Sequence, residues 1–125
     1  NQDEVELNEQ KFLFKPRPPK PPIYIAGSKD YSIKRAVKHG DGWIPIVGAP
    51  EEFKESLEMY RELCDSENKP SDQISVVSRL DLEDKNLSKE KLLKFEDMGI
   101  ERIVCGLPYE DLDDYLNKID FIKSL

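Results

Sequence analysis

Residue types with specialised chemistry are scarce in this chain of 125 residues. It has two cysteines, Cys64 and Cys105, and its single histidine is His39. Two separated thiols provide neither a disulfide framework nor a zinc site, so we expect no metal and a reducing, cytoplasmic setting. No run approaches the roughly 20 apolar residues that span a membrane, and no signal-peptide pattern opens the chain. A membrane is therefore not expected as a partner.

Positive charge is also in short supply. Lys and Arg number 19 against 26 Asp and Glu, which gives a net charge of −7. A chain this acidic repels phosphate backbones, so we expect no nucleic-acid partner. The length suits one domain or one piece of a larger domain. Because the first residue is not methionine, we expect a processed or partial chain.

Proline is concentrated near the start. Residues 15–22 contain five prolines, each of which fixes φ and removes a hydrogen-bond donor. We therefore predict a polar and proline-rich connector over residues 1–22, followed by a domain over residues 23–125. A proline-rich stretch can also bind an aromatic groove on another protein, which is the alternative.

Beyond the connector, short apolar runs alternate with helical patterns. The spacing predicts strands over residues 23–27, 43–47, 74–80 and 103–107. The helices between and after them are marked by Gly40 at one end, Pro50 at one start, Ser88 as an N-cap, Gly99 at another end, and Pro108 at the last start. This order predicts an α/β fold with parallel strands and outer helices. Four βα units form either a small open sheet or half of a (βα)8 barrel.

Such a half-barrel would leave two sheet edges and an apolar inner face uncovered. We therefore expect the chain to pair with an N-terminal half-barrel or with a second copy of itself.

Candidate site residues lie where the strands end, because ligands of parallel sheets bind at the carboxyl ends. Ala26, Gly27, Ser28 and Lys29 combine a flexible turn, a hydroxyl, a positive charge and the start of a helix. This combination is typical of an anion site, and phosphate is the usual anion. An ordinary turn followed by a helix cap would give the same pattern.

Arg79 is the second candidate, at the end of the third strand. If its face of the strand lines a barrel, it can pair with a phosphate or carboxylate. An exposed strand-end arginine is the alternative. For His39, Asp41 and Trp43 we expect structural roles: a helix end, a turn hydrogen bond and a core side chain.

Three segments resemble the luciferase-like monooxygenases. Residues 15–28 are similar to the family's "P-x-P-x-x-P-P-I-W-I-G-G-S", and residues 34–45 to "R-R-A-A-x-x-G-D-G-W-I-P". Residues 100–108 resemble its last strand, "G-V-x-R-V-V-V-G-L-P". The resemblance is nearest to the branch that uses coenzyme F420, a deazaflavin, with the flavin-using branch close behind.

The resemblance implies the C-terminal half of a (βα)8 barrel in which a hydride moves between a deazaflavin and a small organic substrate. It places Gly27 and Ser28 near the cofactor phosphate, although Ala26 and Lys29 replace a common glycine and serine. An FMN-dependent monooxygenase of the same family is one alternative. The other is a half-barrel without catalysis that serves as a subunit or interaction module.

Overall fold

The computed structural model describes residues 4–13, 15–16 and 18–125. Residues 1–3, 14 and 17, which belong to the predicted connector, lie outside the described residues. The described chain forms strands β1 (Glu4–Leu7), β2 (Gln10–Leu13) and β3 (Tyr24–Ala26), helix α1 (Asp30–His39), strand β4 (Gly42–Ile44), helix α2 (Pro50–Ser66), strand β5 (Ser75–Val77), helix α3 (Lys85–Asp97), strand β6 (Arg102–Val104) and helix α4 (Leu112–Lys123).

Strands β3 to β6 run parallel in sequence order. β3 pairs with β4 and β5 pairs with β6, both in parallel register. Parallel bridges from Trp43 to Ile74 and from Ile46 to Val77 join the two pairs. The predicted α/β class with four parallel βα units is confirmed, because each parallel pair needs a helical crossover between its strands.

Pro45 explains why the pairing between β4 and β5 is interrupted. Proline has no N–H to donate to a ladder, but the Pro45 carbonyl accepts the N–H of Val77 at 2.8 Å. The ladder resumes at Val47, whose N–H donates to the Val77 carbonyl at 2.9 Å. The hydrogen bonding to β5 therefore continues past the end of β4 to Val47, over the apolar run predicted for residues 43–47.

The core lies between one face of the sheet and the helices. Trp43, Ile74 and Val76 point to this face and are almost fully buried. The helices cover it with the buried side chains Ile33, Ala36 and Val37 of α1, Phe53, Leu57, Tyr60 and Cys64 of α2, and Phe95 of α3. The opposite face is open, since the side chains of Ile46 and Val104 are 74% and 43% exposed.

Glycine ends helix α3 as predicted. Gly99 has φ +77°, and its N–H donates to the Glu96 carbonyl while that of Ile100 donates to the Phe95 carbonyl. These two bonds form a Schellman motif.

Two predicted helix starts are wrong. Asp84, not Ser88, caps α3: its carboxylate accepts two backbone N–H groups, and Ser88 is buried inside the helix. Helix α4 begins at Leu112 after the cap Asp111, not at Pro108. The Pro108 carbonyl instead accepts a hydrogen bond from the Lys118 ammonium at 2.6 Å.

The hairpin of β1 and β2 was not predicted. Its turn residues Asn8 and Glu9 both have positive φ, at 51° and 60°, which is the conformation of a tight hairpin turn. Val5 pairs with Phe12 across the hairpin, and both side chains are exposed. The hairpin lies within the predicted connector, whose boundary at residue 22 stays a prediction.

Candidate functional site

The turn after β3 lies at the carboxyl end of the sheet, directly before α1. Gly27 at its centre has φ +113°, a region that side chains other than hydrogen rarely adopt. A Cβ at this position would lie 2.5 Å from the buried Ser32 hydroxyl oxygen. Glycine is therefore required by the turn itself, whether or not a ligand binds.

Two hydrogen bonds join this turn to the neighbouring strand. The Trp43 indole Nε1–H donates to the Gly27 carbonyl at 2.7 Å. The Ser28 hydroxyl donates to the Ile46 carbonyl at 3.2 Å. The first bond is partly buried and short, whereas the second is exposed and long, so the hydroxyl can exchange its partner at little cost.

Positive potential collects at the start of α1. The Lys29 carbonyl accepts the N–H groups of Ser32 and Ile33, so the amides of Asp30 and Tyr31 precede the first bonds of the helix. In the described part of the chain, no hydrogen bond or ion pair engages the Lys29 ammonium. The Asp30 carboxylate, in the first turn, opposes this potential. The backbone amides, the Ser28 hydroxyl and the Lys29 ammonium are groups that bind phosphate. The Asp30 carboxylate weakens the attraction of this segment for an anion.

Arg79 lies beyond the end of β5 and lines a cavity of about 1080 Å³. Apolar side chains of Ile46, Val77 and Leu107 form much of its wall. The Lys91 ammonium donates to the Arg79 carbonyl at 2.6 Å and holds this segment against α3. No hydrogen bond or ion pair among the described residues engages the Arg79 guanidinium.

A second cavity of about 450 Å³ adjoins Arg79 on the helix side. Lys94 on its wall lies 2.8 Å from Glu51 and 3.0 Å from Glu90. The hydrogen bond from Lys94 lowers the pKa of Glu51, and the pKa of Lys94 is raised in turn. This ammonium is therefore already paired with carboxylates, whereas the Arg79 guanidinium, which borders both cavities, has no such partner among the described residues.

The predicted site residues form two groups rather than one. Ala26, Gly27, Ser28 and Lys29 are contiguous, and none of them lines either cavity. Ile46 connects the groups, since its carbonyl accepts the Ser28 hydroxyl and it lines the larger cavity with Arg79.

Cys105 lies half-buried after β6. Burial raises the pKa of its thiol, and the nearby Lys91 ammonium opposes this only in part. A protonated thiol is a weak nucleophile. Burial therefore disfavours the reactive thiolate form of Cys105.

Structural roles were expected for three further residues, and the structure places each of them. Trp43 is fully buried and stacks on Tyr60 with ring centroids 4.9 Å apart. The Asp41 carboxylate accepts the N–H of Ile23 at 2.8 Å, which fastens the starts of β3 and β4 together rather than closing a turn. His39 is exposed at the end of α1.

The sequence analysis did not identify two residues that line the larger cavity, Ser78 and Lys91. Ser78 is buried, and its hydroxyl donates to the Val47 carbonyl at 2.7 Å. Lys91 extends from α3 to the Arg79 carbonyl at the edge of this cavity. The alternation of the third strand places Ser78 on the buried face and could have identified it, but no local signal identifies Lys91.

A solved structure, an F420-dependent secondary alcohol dehydrogenase in complex with an F420-acetone adduct, aligns at 16% identity with a TM-score of 0.44. The alignment covers 95% of this chain and 38% of that chain. The comparison with curated proteins gave no match.

The profile of the luciferase-like monooxygenases matches residues 3–82, which is more than half of the chain. The match spans β3, α1, β4, α2 and β5, and so includes the turn at Gly27 and the strand that leads to Arg79. Within the described ranges, none of the helices combines the length and the hydrophobicity that a membrane span requires. On the strength of the profile match, this chain belongs to the luciferase-like monooxygenase family.

Proposed function

We propose that this chain is the C-terminal half of an F420-dependent oxidoreductase that transfers a hydride between the deazaflavin and a small organic substrate. The observation that carries the proposal is the family's profile match over the turn at Gly27, together with the position of that turn at the carboxyl end of β3. Parallel sheets bind ligands at this end of their strands.

The Gly27–Lys29 segment would hold the cofactor phosphate. The amides at the start of α1 and the Lys29 ammonium supply charge, and the Ser28 hydroxyl supplies one donor after releasing the Ile46 carbonyl. Phosphate and amides at a helix start attract each other through the helix dipole as well as through hydrogen bonds. The negative charge of the Asp30 carboxylate reduces this attraction, so the affinity for phosphate is expected to depend on that charge.

Arg79 would bind an anionic or strongly polar group on the other side of Ile46. Its guanidinium can form two parallel hydrogen bonds with a carboxylate or phosphate, and the apolar wall beside it suits a ring or an aliphatic group. When bound, F420 supplies the hydride acceptor or donor, and the protein positions it. The chain's own residues therefore bind and orient, and none is assigned as an acid or base.

Completion of the barrel is part of the proposal. The open face carries the exposed side chains of Ile46 and Val104, and the complete enzyme needs a second half that covers them, from an N-terminal half-barrel or a second copy. We propose a cytoplasmic setting, where both free thiols stay reduced. Gel filtration tests the pairing: a monomer at low micromolar concentration that binds no N-terminal half would contradict it.

Cofactor binding tests the function. The chain, with and without the N-terminal half, is titrated with F420 and with FMN while its melting temperature is recorded, because ligands of the native state raise stability by mass action. F420 should raise the melting temperature more than FMN. A larger shift with FMN would favour the flavin-dependent alternative, and no shift with either would favour the module without catalysis.

Two variants locate the phosphate. Ser28→Ala should weaken F420 binding by about 1 kcal/mol through the loss of one hydrogen bond, and Asp30→Asn should strengthen it by removing a like charge. His39→Gln, at the opposite end of α1, is the matched control. Unchanged affinity in both site variants would remove this segment from the site.

A further inference from the structure

Trp43 connects the core to the turn at Gly27. The residue is paired with Ile25 in the register of β3 and β4, and its indole reaches along the strand to the Gly27 carbonyl. The side chain is fully buried. The bond therefore joins a buried core group to a segment whose next residue, Ser28, is exposed.

The orientation of the indole is fixed by α2. Tyr60 stacks on the ring at 4.9 Å, and Phe53 packs against it at 5.4 Å between centroids. Both aromatic partners are themselves buried. Because close-packed side chains hold one rotamer, the position of Nε1 is set by the core and not by the turn.

The bond to the Gly27 carbonyl also fixes the N–H of Ser28. These two groups belong to one planar, trans peptide unit and point in opposite directions. With the carbonyl drawn toward the buried indole, the Ser28 N–H points away from Trp43. Glycine at φ +113° tolerates many backbone conformations, so the local sequence leaves the orientation of this peptide undecided.

We propose that Trp43 is a positioning residue that holds the Gly27–Ser28 peptide in the orientation that offers the Ser28 N–H to a phosphate. The binding part rests on the proposed function, and the orientation part rests on the indole bond alone. The second tie of the turn, from the Ser28 hydroxyl to Ile46, is exposed and long. This exposed bond cannot hold the Gly27–Ser28 peptide in one orientation as the Trp43 indole bond does.

Trp43→Phe tests the inference, because phenylalanine keeps an aromatic ring but lacks the N–H donor. Hydrogen exchange at the amides of residues 27–29 should accelerate about tenfold, and the dissociation constants of F420 and FMN should rise about three- to tenfold. Tyr60→Phe is the matched control: it alters the same aromatic cluster, keeps the ring and leaves the indole bond in place. Exchange and affinity that change equally in both variants would overturn the proposal, since that result reports general loosening of the core.

The unmodified chain gives an independent readout. It has one tryptophan, so its indole N–H gives a single side-chain resonance. Titration with F420 or FMN should shift this resonance together with the Ser28 amide resonance. A shift at Ser28 with none at the indole would overturn the inference and leave the proposed function standing. No shift at either, with F420 and FMN both saturating, would overturn the proposed function and the binding part of the inference, whereas the exchange comparison still decides the orientation part.

Discussion

Helices α2 and α4 have similar apolar spacing but very different surroundings. Phe53, Leu57, Tyr60 and Cys64 of α2 are all buried against the sheet and its neighbours. Helix α4 has no buried residue, and its Leu112 and Leu116 are 69% and 49% exposed. Apolar periodicity indicates that one face of a helix packs against other residues. It does not show whether those residues belong to the same chain.

The same contrast separates two regions of the molecule. The packed region, from β3 to α2, contains the turn at Gly27 and the aromatic cluster around Trp43. The open region, from β6 to α4, contains Cys105 and one wall of the larger cavity. Rigid parts of a site are thus expected in the first region, and parts that become ordered on assembly in the second.

The largest expected difference between the regions is in side-chain truncation. Phe53→Ala should lower the free energy of unfolding by about 3–5 kcal/mol, because it leaves a cavity beside Trp43. Leu116→Ala should change it by about 0.5 kcal/mol or less, because the side chain is already half in water. Urea denaturation of both variants measures the difference. Comparable losses in the two variants would mean that α4 is covered in the protein.

Substitution of one glycine in each region compares the two regions at the level of the backbone. Gly27→Ala should cost about 1–3 kcal/mol, since the positive φ and the contact with Ser32 both oppose a side chain. Gly106→Ala is the control, because a Cβ there meets nothing within 4 Å. The midpoints of thermal unfolding give both values. Equal stability of the two variants would contradict the described geometry of the turn.

The smallest expected effect on stability comes from two ion pairs, one at α2 in the packed region and one within α4 in the open region. Hydrogen bonds from Lys94 and Lys118 lower the pKa values of Glu51 and Asp114, respectively. A carboxyl whose pKa is lower in the folded state stabilises the fold above its unfolded pKa, near 4, and loses that contribution as the pH falls through the folded pKa. Both pairs are therefore expected to weaken below about pH 4.

NMR titration of the two carboxyl groups checks this expectation. Lys94→Met should return the pKa of Glu51 toward its ordinary value and leave Asp114 unchanged, and Lys118→Met should do the reverse. Each variant is thus the control for the other. A pKa that does not move in the matching variant would contradict the assigned pair.

Much of the fold could be predicted from short-range patterns. The four apolar runs locate the parallel strands, and Gly40 and Gly99 mark helix ends, because these signals depend only on near neighbours along the chain. The start of α3 was misplaced because Asp84 and Ser88 are both residue types that cap helices. In the structure Asp84 is the cap, and the Ser88 hydroxyl donates to the Asp81 carbonyl instead. The hairpin was missed because Asn8-Glu9 lacks the usual glycine.

The site was predictable only in its local part. The turn from Ala26 to Lys29 carries its own signals in glycine, serine and the start of a helix. The partners that shape it come from distant positions: the Trp43 indole reaches back 16 residues, and Ser28 reaches forward 18 residues to Ile46. Such contacts depend on the register of β3 against β4, which no single segment determines.

Two cations close helix ends that belong to other βα units. Lys69, after α2, donates to the Val37 carbonyl in the last turn of α1, and Arg61 of α2 donates to the Met98 carbonyl at the end of α3 at 2.7 Å. A single unit cut from this chain would lose such a bond at one boundary or another. A shortened or permuted chain would therefore preserve both bonds only where α2 keeps both neighbours, which makes this helix the natural reference for dividing the protein into fragments.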